Sequence, residues 1–249
     1  TLYENADSDL WVWNFEQRVA GRRTFNGNSS RARWSADSST LVFNVISETQ
    51  QLDGVWAVPS DGSSTANAVY SDSAMFTDGA SQIQSLSYSD NKLFFFSGAA
   101  QIGKGALWSL DLSGEPETET VVSQIEVSPN TEEVWWSRLS TSPNGEWIAY
   151  VSNESGANQI YVRPYPDVSA GKFQVSATDA VSPVWSQDSN ELFFRSGNRF
   201  YSLAYEEFSS DTRRFIDLKE PELLFEHTIV ENHLTFPAYV HNPSEDNFI

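Results

Sequence analysis

The sequence predicts an all-β protein, a β-propeller of four-stranded antiparallel blades, on three observations. One unit recurs along the chain at a period of roughly 40 to 55 residues, the mark of a repeat architecture. Within each copy, short apolar and aromatic runs alternate with clusters of Ser, Asp, Asn, Gly and Pro, the pattern of successive hairpins. Long helical periodicity is absent, which removes α/β folds that need crossover helices.

Each copy opens with an anchor, an apolar residue and a hydroxyl before a polar turn, and then enters an aromatic strand. The clearest anchors are Trp34-Ser35-Ala36-Asp37-Ser38 before Leu41-Val42-Phe43, and Trp185-Ser186-Gln187-Asp188-Ser189 before Leu192-Phe193-Phe194. Between them stand Tyr88-Ser89-Asp90-Asn91-Lys92 before Leu93-Phe94-Phe95, and Thr141-Ser142-Pro143-Asn144-Gly145 before Trp147-Ile148-Ala149-Tyr150. A later strand follows in every copy: Val55–Val58, Leu107–Leu110, Ile160–Arg163 and Phe200–Leu203. A blade cannot bury both faces alone, so neighbouring blades must pack face to face, with aromatic side chains between them. Trp34, Trp56, Trp108, Trp147 and Trp185 are therefore expected at matching repeat positions as packing residues.

Ser142-Pro143-Asn144-Gly145-Glu146-Trp147-Ile148-Ala149-Tyr150-Val151-Ser152-Asn153-Glu154-Ser155-Gly156, continuing into Gln159-Ile160-Tyr161-Val162-Arg163-Pro164-Tyr165-Pro166, resembles the WD40-like repeat of TolB-type propellers. The resemblance is closest to the propellers that follow bacterial serine/threonine kinase domains, and Pro183–Gly197 continues it. It implies six blades, protein binding or sensing, and a periplasmic or secreted location.

The chain departs from six. Four complete copies occupy about residues 27–226, preceded by the later-strand segment Leu10-Trp11-Val12-Trp13-Asn14-Phe15 and followed by an anchor-like stretch, residues 242–249. Two half-copies at opposite ends suit ring closure, because pairing them removes two exposed edges. The expectation is one domain over residues 1–249 with five blades, the closing one built from about 1–26 plus 228–249, and Leu10–Phe15 antiparallel to a strand near Phe248. A closed ring of this kind would be a monomer. The competing reading is a fragment whose free edges pair with another molecule.

Composition narrows the partners. Acidic residues outnumber basic ones by 34 to 15, a net charge of -19, which repels nucleic acid. Aromatic residues make up 14% of the chain, enough for a packed core, so disorder is excluded. No run approaches the ~18 apolar residues of a membrane span, so membrane insertion is not expected. With no Cys, neither disulfides nor thiolate metal sites arise.

Catalytic patterns are weak. There is no Gly-x-Ser-x-Gly, and His227, His233 and His241 are the only imidazoles. Gly98, Gly103 and Gly105 lack the Gly-Lys-Ser/Thr ending of a phosphate loop. Glu226, His227, Glu231 and His233 form the densest set of potential metal ligands, with His241 beyond, but their spacing matches no metal motif. Asp7 with Asp9, and Asp72 with Asp78, lack the ordered loop of a calcium site, and Asn28 and Asn153 sit in Asn-x-Ser sequons. No metal or other cofactor is expected.

In a propeller the variable chemistry lies in loops at the ring faces. Loops 44–53, 72–79, 97–105, 123–133, 152–158 and 195–199 are expected on one face. Its binding candidates are Glu48, Asp72, Asp78, Glu132, Glu133, Trp135, Arg138, Glu154, Arg195 and Arg199, facing a protein segment or small polar ligand. The function expected is non-enzymatic binding, scaffolding or sensing. The alternative is a propeller hydrolase or lyase with a metal-assisted site near Glu226–His241.

Overall fold

The computed structural model describes residues 2–4, 7–14, 17–35, 37–45, 54–70, 81–89, 92–99, 105–111, 122–125, 139–186, 190–209, 214–226, 241–242 and 247–248. Among these every regular element is a β-strand, every strand pairing is antiparallel, and there is no helix.

The chain begins with the hairpins β1 (Leu2–Glu4) with β2 (Asp7–Asp9) and β3 (Trp11–Asn14) with β4 (Val19–Arg22). The first four-stranded sheet is β5 (Ser29–Trp34), β6 (Thr40–Val45), β7 (Gly54–Pro59) and β8 (Asn67–Tyr70), hydrogen-bonded in that order. The second repeats it with β9 (Ser81–Ser89), β10 (Lys92–Ala99), β11 (Gly105–Asp111) and β12 (Val122–Ile125). The third has β13 (Leu139–Thr141), β14 (Trp147–Ser152), β15 (Gln159–Pro164) and β16 (Phe173–Gln174). The fourth joins β17 (Val181–Trp185), β18 (Glu191–Ser196) and the long β19 (Arg199–Ser209). Two strands share the outer side of β19: β20 (Arg214–Leu218) pairs its second half and β21 (Glu222–Glu226) its first. A short hairpin, β22 (His241–Asn242) with β23 (Asn247–Phe248), ends the described chain.

The four sheets are the four expected copies, in meander order. Their first strands lie side by side, β5 against β9, β9 against β13 and β13 against β17, so the sheets fan outward from these innermost strands. Apolar clusters fill the wedges. Val42 and Val55 of the first sheet meet Leu93, Phe95 and Leu110 of the second. Phe94 meets Leu139, Ile148 and Tyr150 of the third, and Trp147, Val151 and Ile160 meet Trp185, Leu192 and Phe194 of the fourth. Alternate residues of one strand thus serve opposite wedges, as period-two strands buried on both faces require. Leu10 and Val12 bring the N-terminal hairpin onto Leu41, Phe43 and Val58 of the first sheet.

Innermost strands carry bulges. Ser30 faces Asn44 and Arg33 faces Val42, so two residues of β5 oppose Phe43 alone. Val181 faces Arg195 and Val184 faces Phe193 in the same way, with Ser182 at a φ of 60° inside the bulge, and β9 shifts register one position further on. Bulges re-aim and twist a strand, which suits strands crowded at a common axis.

Two expectations are corrected. Among the described residues no pairing joins the two termini into a closing blade: Trp11–Asn14 pairs with Val19–Arg22, and Asn247–Phe248 pairs with His241–Asn242. Each terminal strand pairs along one edge in a local hairpin, which costs less loop-closure entropy than pairing across the whole chain. The tryptophans are also not all equivalent. Trp34 and Trp185 match, opposite Leu41 and Leu192, and Trp56 and Trp108 match, opposite Phe43 and Phe95. Trp147, however, opens β14, at the position of Thr40 and Glu191, and Thr141 stands where the first and fourth sheets have Trp34 and Trp185 and the second has Tyr88. Trp147 and Trp185 are buried, whereas Trp34 is 48% exposed. Trp185 lies between sheets, its indole nitrogen donating to the Ser140 carbonyl of the neighbouring innermost strand at 3.2 Å. Trp34 stands opposite Leu41, on the side of the N-terminal hairpins, where the short β2 meets the start of β5 at the bridge between Ser8 and Asn28.

Candidate functional site

The described part of the expected face is a polar rim over the third and fourth sheets. The loop between β14 and β15 turns at Gly156, whose φ of 91° is costly for a residue bearing a Cβ, and its amide donates to the Asn153 carbonyl at 2.8 Å. Ser155 Oγ donates to Gln159 Oε1 at 2.6 Å, which fixes the end of the loop on β15. Between β18 and β19 the turn has only two residues, with Gly197 at a φ of 58°, the hairpin geometry that favours glycine.

Asp179 ties these loops together. The Asn158 amide donates to its Oδ1 at 3.2 Å, the Ser196 hydroxyl donates to its backbone carbonyl at 2.6 Å, and the Ala180 amide donates to the Asn158 carbonyl at 2.7 Å. Thr178 Oγ1 lies 3.4 Å from Ser196 Oγ. One segment between copies therefore gathers the loop of the third sheet and the turn of the fourth onto a single edge. Rim charges occur in opposite pairs: Glu154 Oε1 accepts from Lys172 Nζ at 2.7 Å, and Glu226 Oε1 accepts from Arg199 Nε at 2.6 Å. Lys172 Nζ also sits 5.2 Å from the centre of the Tyr161 ring. These exposed pairs add little to stability and can exchange their partners for those of a ligand.

Beneath the rim the packing is polar but closed. Arg195 is buried, with Nη1 donating to the Gly197 carbonyl at 2.8 Å, so it supports the turn and does not face solvent. Tyr150 accepts from Arg163 Nε at 2.9 Å, and burial pushes its phenol up to about 12 in spite of that bond. It is a hydrogen-bonding core residue at ordinary pH.

Of the sequence candidates, Glu154 and Arg199 lie on the rim and Arg195 under it. Glu48, Asp72, Asp78, Glu132, Glu133, Trp135 and Arg138 lie outside the described residues, as do His227, Glu231 and His233 of the metal candidates. Glu226 is held in the ion pair with Arg199, and among the described residues no three His, Cys, Asp or Glu side chains converge on a point. Sequence reasoning missed Asp179 and Lys172, while Asn158 and Ser196 lie within the expected loops 152–158 and 195–199 without being singled out. Asp179 was within reach, since a short Thr-Asp step between copies is where an Asx acceptor tethers neighbouring loops.

No family model and no curated protein matches the sequence. Solved structures do match in fold. TolB from Acinetobacter baumannii aligns at a TM-score of 0.56 and 12% identity over 91% of this chain and 51% of that one. A putative TolB from Agrobacterium tumefaciens gives 0.56 and 14% over 89% and 75%. An oligogalacturonate lyase in complex with manganese gives 0.51 and 15% over 74% and 49%. The protein is thus of the β-propeller class, with TolB-like and enzyme propellers both among its structural neighbours. The chain spans about half the length of the Acinetobacter TolB.

Proposed function

We propose that this propeller is a non-enzymatic recognition module that binds a protein segment or a small polar ligand on the rim of Glu154, Lys172, Asp179 and Arg199. The observation that carries this reading is the clustering of two exposed, opposite-charge pairs on loops held rigid from below by Asp179, Ser196 and Arg195. Such a surface offers donors and acceptors of both signs without reorganising its backbone, which lowers the ordering cost of binding. Resemblance to TolB-type and kinase-attached propellers supports a protein-binding or sensing role on the outer side of a membrane. A displayed library of random peptides, selected on the purified chain, tests this. The expected result is a peptide whose binding falls when Glu154→Lys or Arg199→Glu is introduced and the melting curve is unchanged. A selection that yields no peptide, or one indifferent to both variants, would count against the rim.

The alternative, a metal-assisted hydrolase or lyase near Glu226–His241, takes its support from the fold shared with the manganese-bound lyase. Manganese titrated into the chain and into Glu226→Gln separates the readings. Stoichiometric binding lost in the variant would favour the enzyme.

A further inference from the structure

An asparagine followed by glycine is the step at which a backbone most readily attacks its own side chain, because glycine puts no Cβ in the path of its nitrogen. The sequence has two such steps, Asn26-Gly27 and Asn144-Gly145, and both asparagines are exposed. Each side-chain oxygen is held by two donors. Asn26 Oδ1 accepts from Ser29 Oγ at 2.7 Å and from the Asn28 amide at 3.4 Å, and Asn144 Oδ1 accepts from Ser142 Oγ at 2.6 Å and from the Glu146 amide at 3.1 Å. These donors stand where negative charge gathers when an amide carbon is attacked.

The two steps differ at the nucleophile and at the leaving group. The Gly145 amide donates to the Ser142 carbonyl at 2.9 Å, a neutral acceptor inside the turn, and Asn144 Nδ2 donates to the Glu207 carboxylate at 3.0 Å. Both reacting nitrogens are tied down there. The Gly27 amide instead donates to a carboxylate oxygen, Asp9 Oδ1, at 3.2 Å, and among the described residues no partner holds Asn26 Nδ2. Asp9 is itself fixed by Arg22 and by Thr24 Oγ1 at 3.0 Å, so a proton acceptor is built in beside the Gly27 nitrogen.

We propose that Asn26-Gly27 is a site of self-deamidation with Asp9 as the proton acceptor, and that the turn protects Asn144-Gly145. The Gly27 nitrogen attacks Asn26 Cγ and forms the C–N bond of a succinimide. Its proton, acidic once that bond begins to form, passes to Asp9 and on to Nδ2 as the Cγ–Nδ2 bond breaks and ammonia leaves. Water then opens the ring at either carbonyl, giving aspartate or isoaspartate, with no change of oxidation state. The step lies on the strap between the N-terminal hairpins and the first sheet, where the Ser8 amide donates to the Gly27 carbonyl and Ser8 bridges Asn28. Either product adds a carboxylate to the loop that Asp9 holds, and isoaspartate also lengthens the backbone at the bridge. Conversion therefore loosens the hairpins from the first sheet as the protein ages.

Peptide mapping by mass spectrometry, over a time course of the full chain in mildly alkaline buffer, reads both asparagines in one sample. In the folded chain Asn26 should convert roughly 10-fold faster than Asn144, and in urea the two rates should come together, because only the folded loops distinguish them. Asp9→Asn should slow Asn26 by roughly 10-fold and leave Asn144 unchanged. Circular dichroism checks that this variant folds; should it not, Ser29→Ala removes an oxygen donor instead and should slow Asn26 several-fold. Equal rates in the folded chain, a faster Asn144, a ratio that persists in urea, or an Asn26 rate that the folded variant does not lower would each overturn the proposal.

Discussion

Trp185 and Trp34 end the first strands of their sheets opposite equivalent leucines, yet only one is enclosed. Trp185 meets Tyr205 edge-on at 5.0 Å and donates to Ser140 across the wedge, so its removal leaves a cavity and breaks the hydrogen bond between the two sheets. Trp185→Ala should cost about 3–5 kcal/mol in urea unfolding. Trp34→Ala, at a half-exposed site, should cost under about 1 kcal/mol. Equal losses would show that Trp34 is covered in solution. Asp9 sets a pH dependence. Burial works to raise its carboxyl, but hydrogen bonds from Arg22, the Gly27 amide and Thr24 outweigh burial and hold it below the ordinary 3.8. The folded value lies below the unfolded one, so this stabilisation is complete above about 3.8 and is lost as pH falls through the folded value. Acid unfolding of Asp9→Asn should begin from a lower stability and show a flatter acid limb than the unmodified chain. An unchanged limb would remove Asp9 from the pH response.

At the scale of the element, the recurring hydroxyl of each anchor has a mechanical role. Ser142 Oγ donates to Asn144 Oδ1 at 2.6 Å and accepts from the Trp147 amide at 2.9 Å, while the Ser142 amide donates to the Trp147 carbonyl at 2.9 Å. Ser35 repeats this with Asp37 and the Thr40 amide, at 2.6 and 2.9 Å. There the hydrogen bonds from Ser35 and Ser39 hold the Asp37 carboxyl down at about 2. Ser186 keeps the backbone part of the motif, its amide donating to the Glu191 carbonyl at 2.8 Å. The serine thus closes a turn that the backbone alone would leave with an unpaired strand amide. Ser142→Ala should cost about 1–2 kcal/mol, since the Trp147 amide stays buried without its acceptor. Thermal melts check it, and Ser142→Thr should retain most of the stability. This anchor was legible in the sequence because one residue must sit at a fixed offset from the strand it caps. The bulges were not, since Arg31-Ala32 and Ser182-Pro183 share no residue type and arise from crowding at the axis. The split outer side of β19 was equally hidden. Only the register shows that β21 returns beside the first half of the strand while β20 pairs the second.

For the molecule as a whole, four wedges in series replace one central core, and this governs how stability is distributed. The four-stranded sheets could be read from the repeat because each buries its aromatic residues against a neighbour; ring closure could not, because local hairpins compete with distant partners for the terminal strands. In a linear array each unit is held by its own hydrogen bonds and by the wedges on either side, so inner units open last. The third sheet is packed on both faces: every residue of β14 is buried, and β15 is nearly so. At the ends burial fails, with most of β3 and β4 and all of β21 exposed. Native-state hydrogen exchange should therefore show the slowest amides in β14 and β15, intermediate rates in β6 and β7, and the fastest in β3, β4 and β21. The β3–β4 hairpin should open without disturbing the third sheet, because Leu10, Val12 and the hydrogen bond from Arg23 to the Ser60 carbonyl join it to the first sheet. Uniform protection from β3 to β21 would show a single cooperative ring and contradict the linear array.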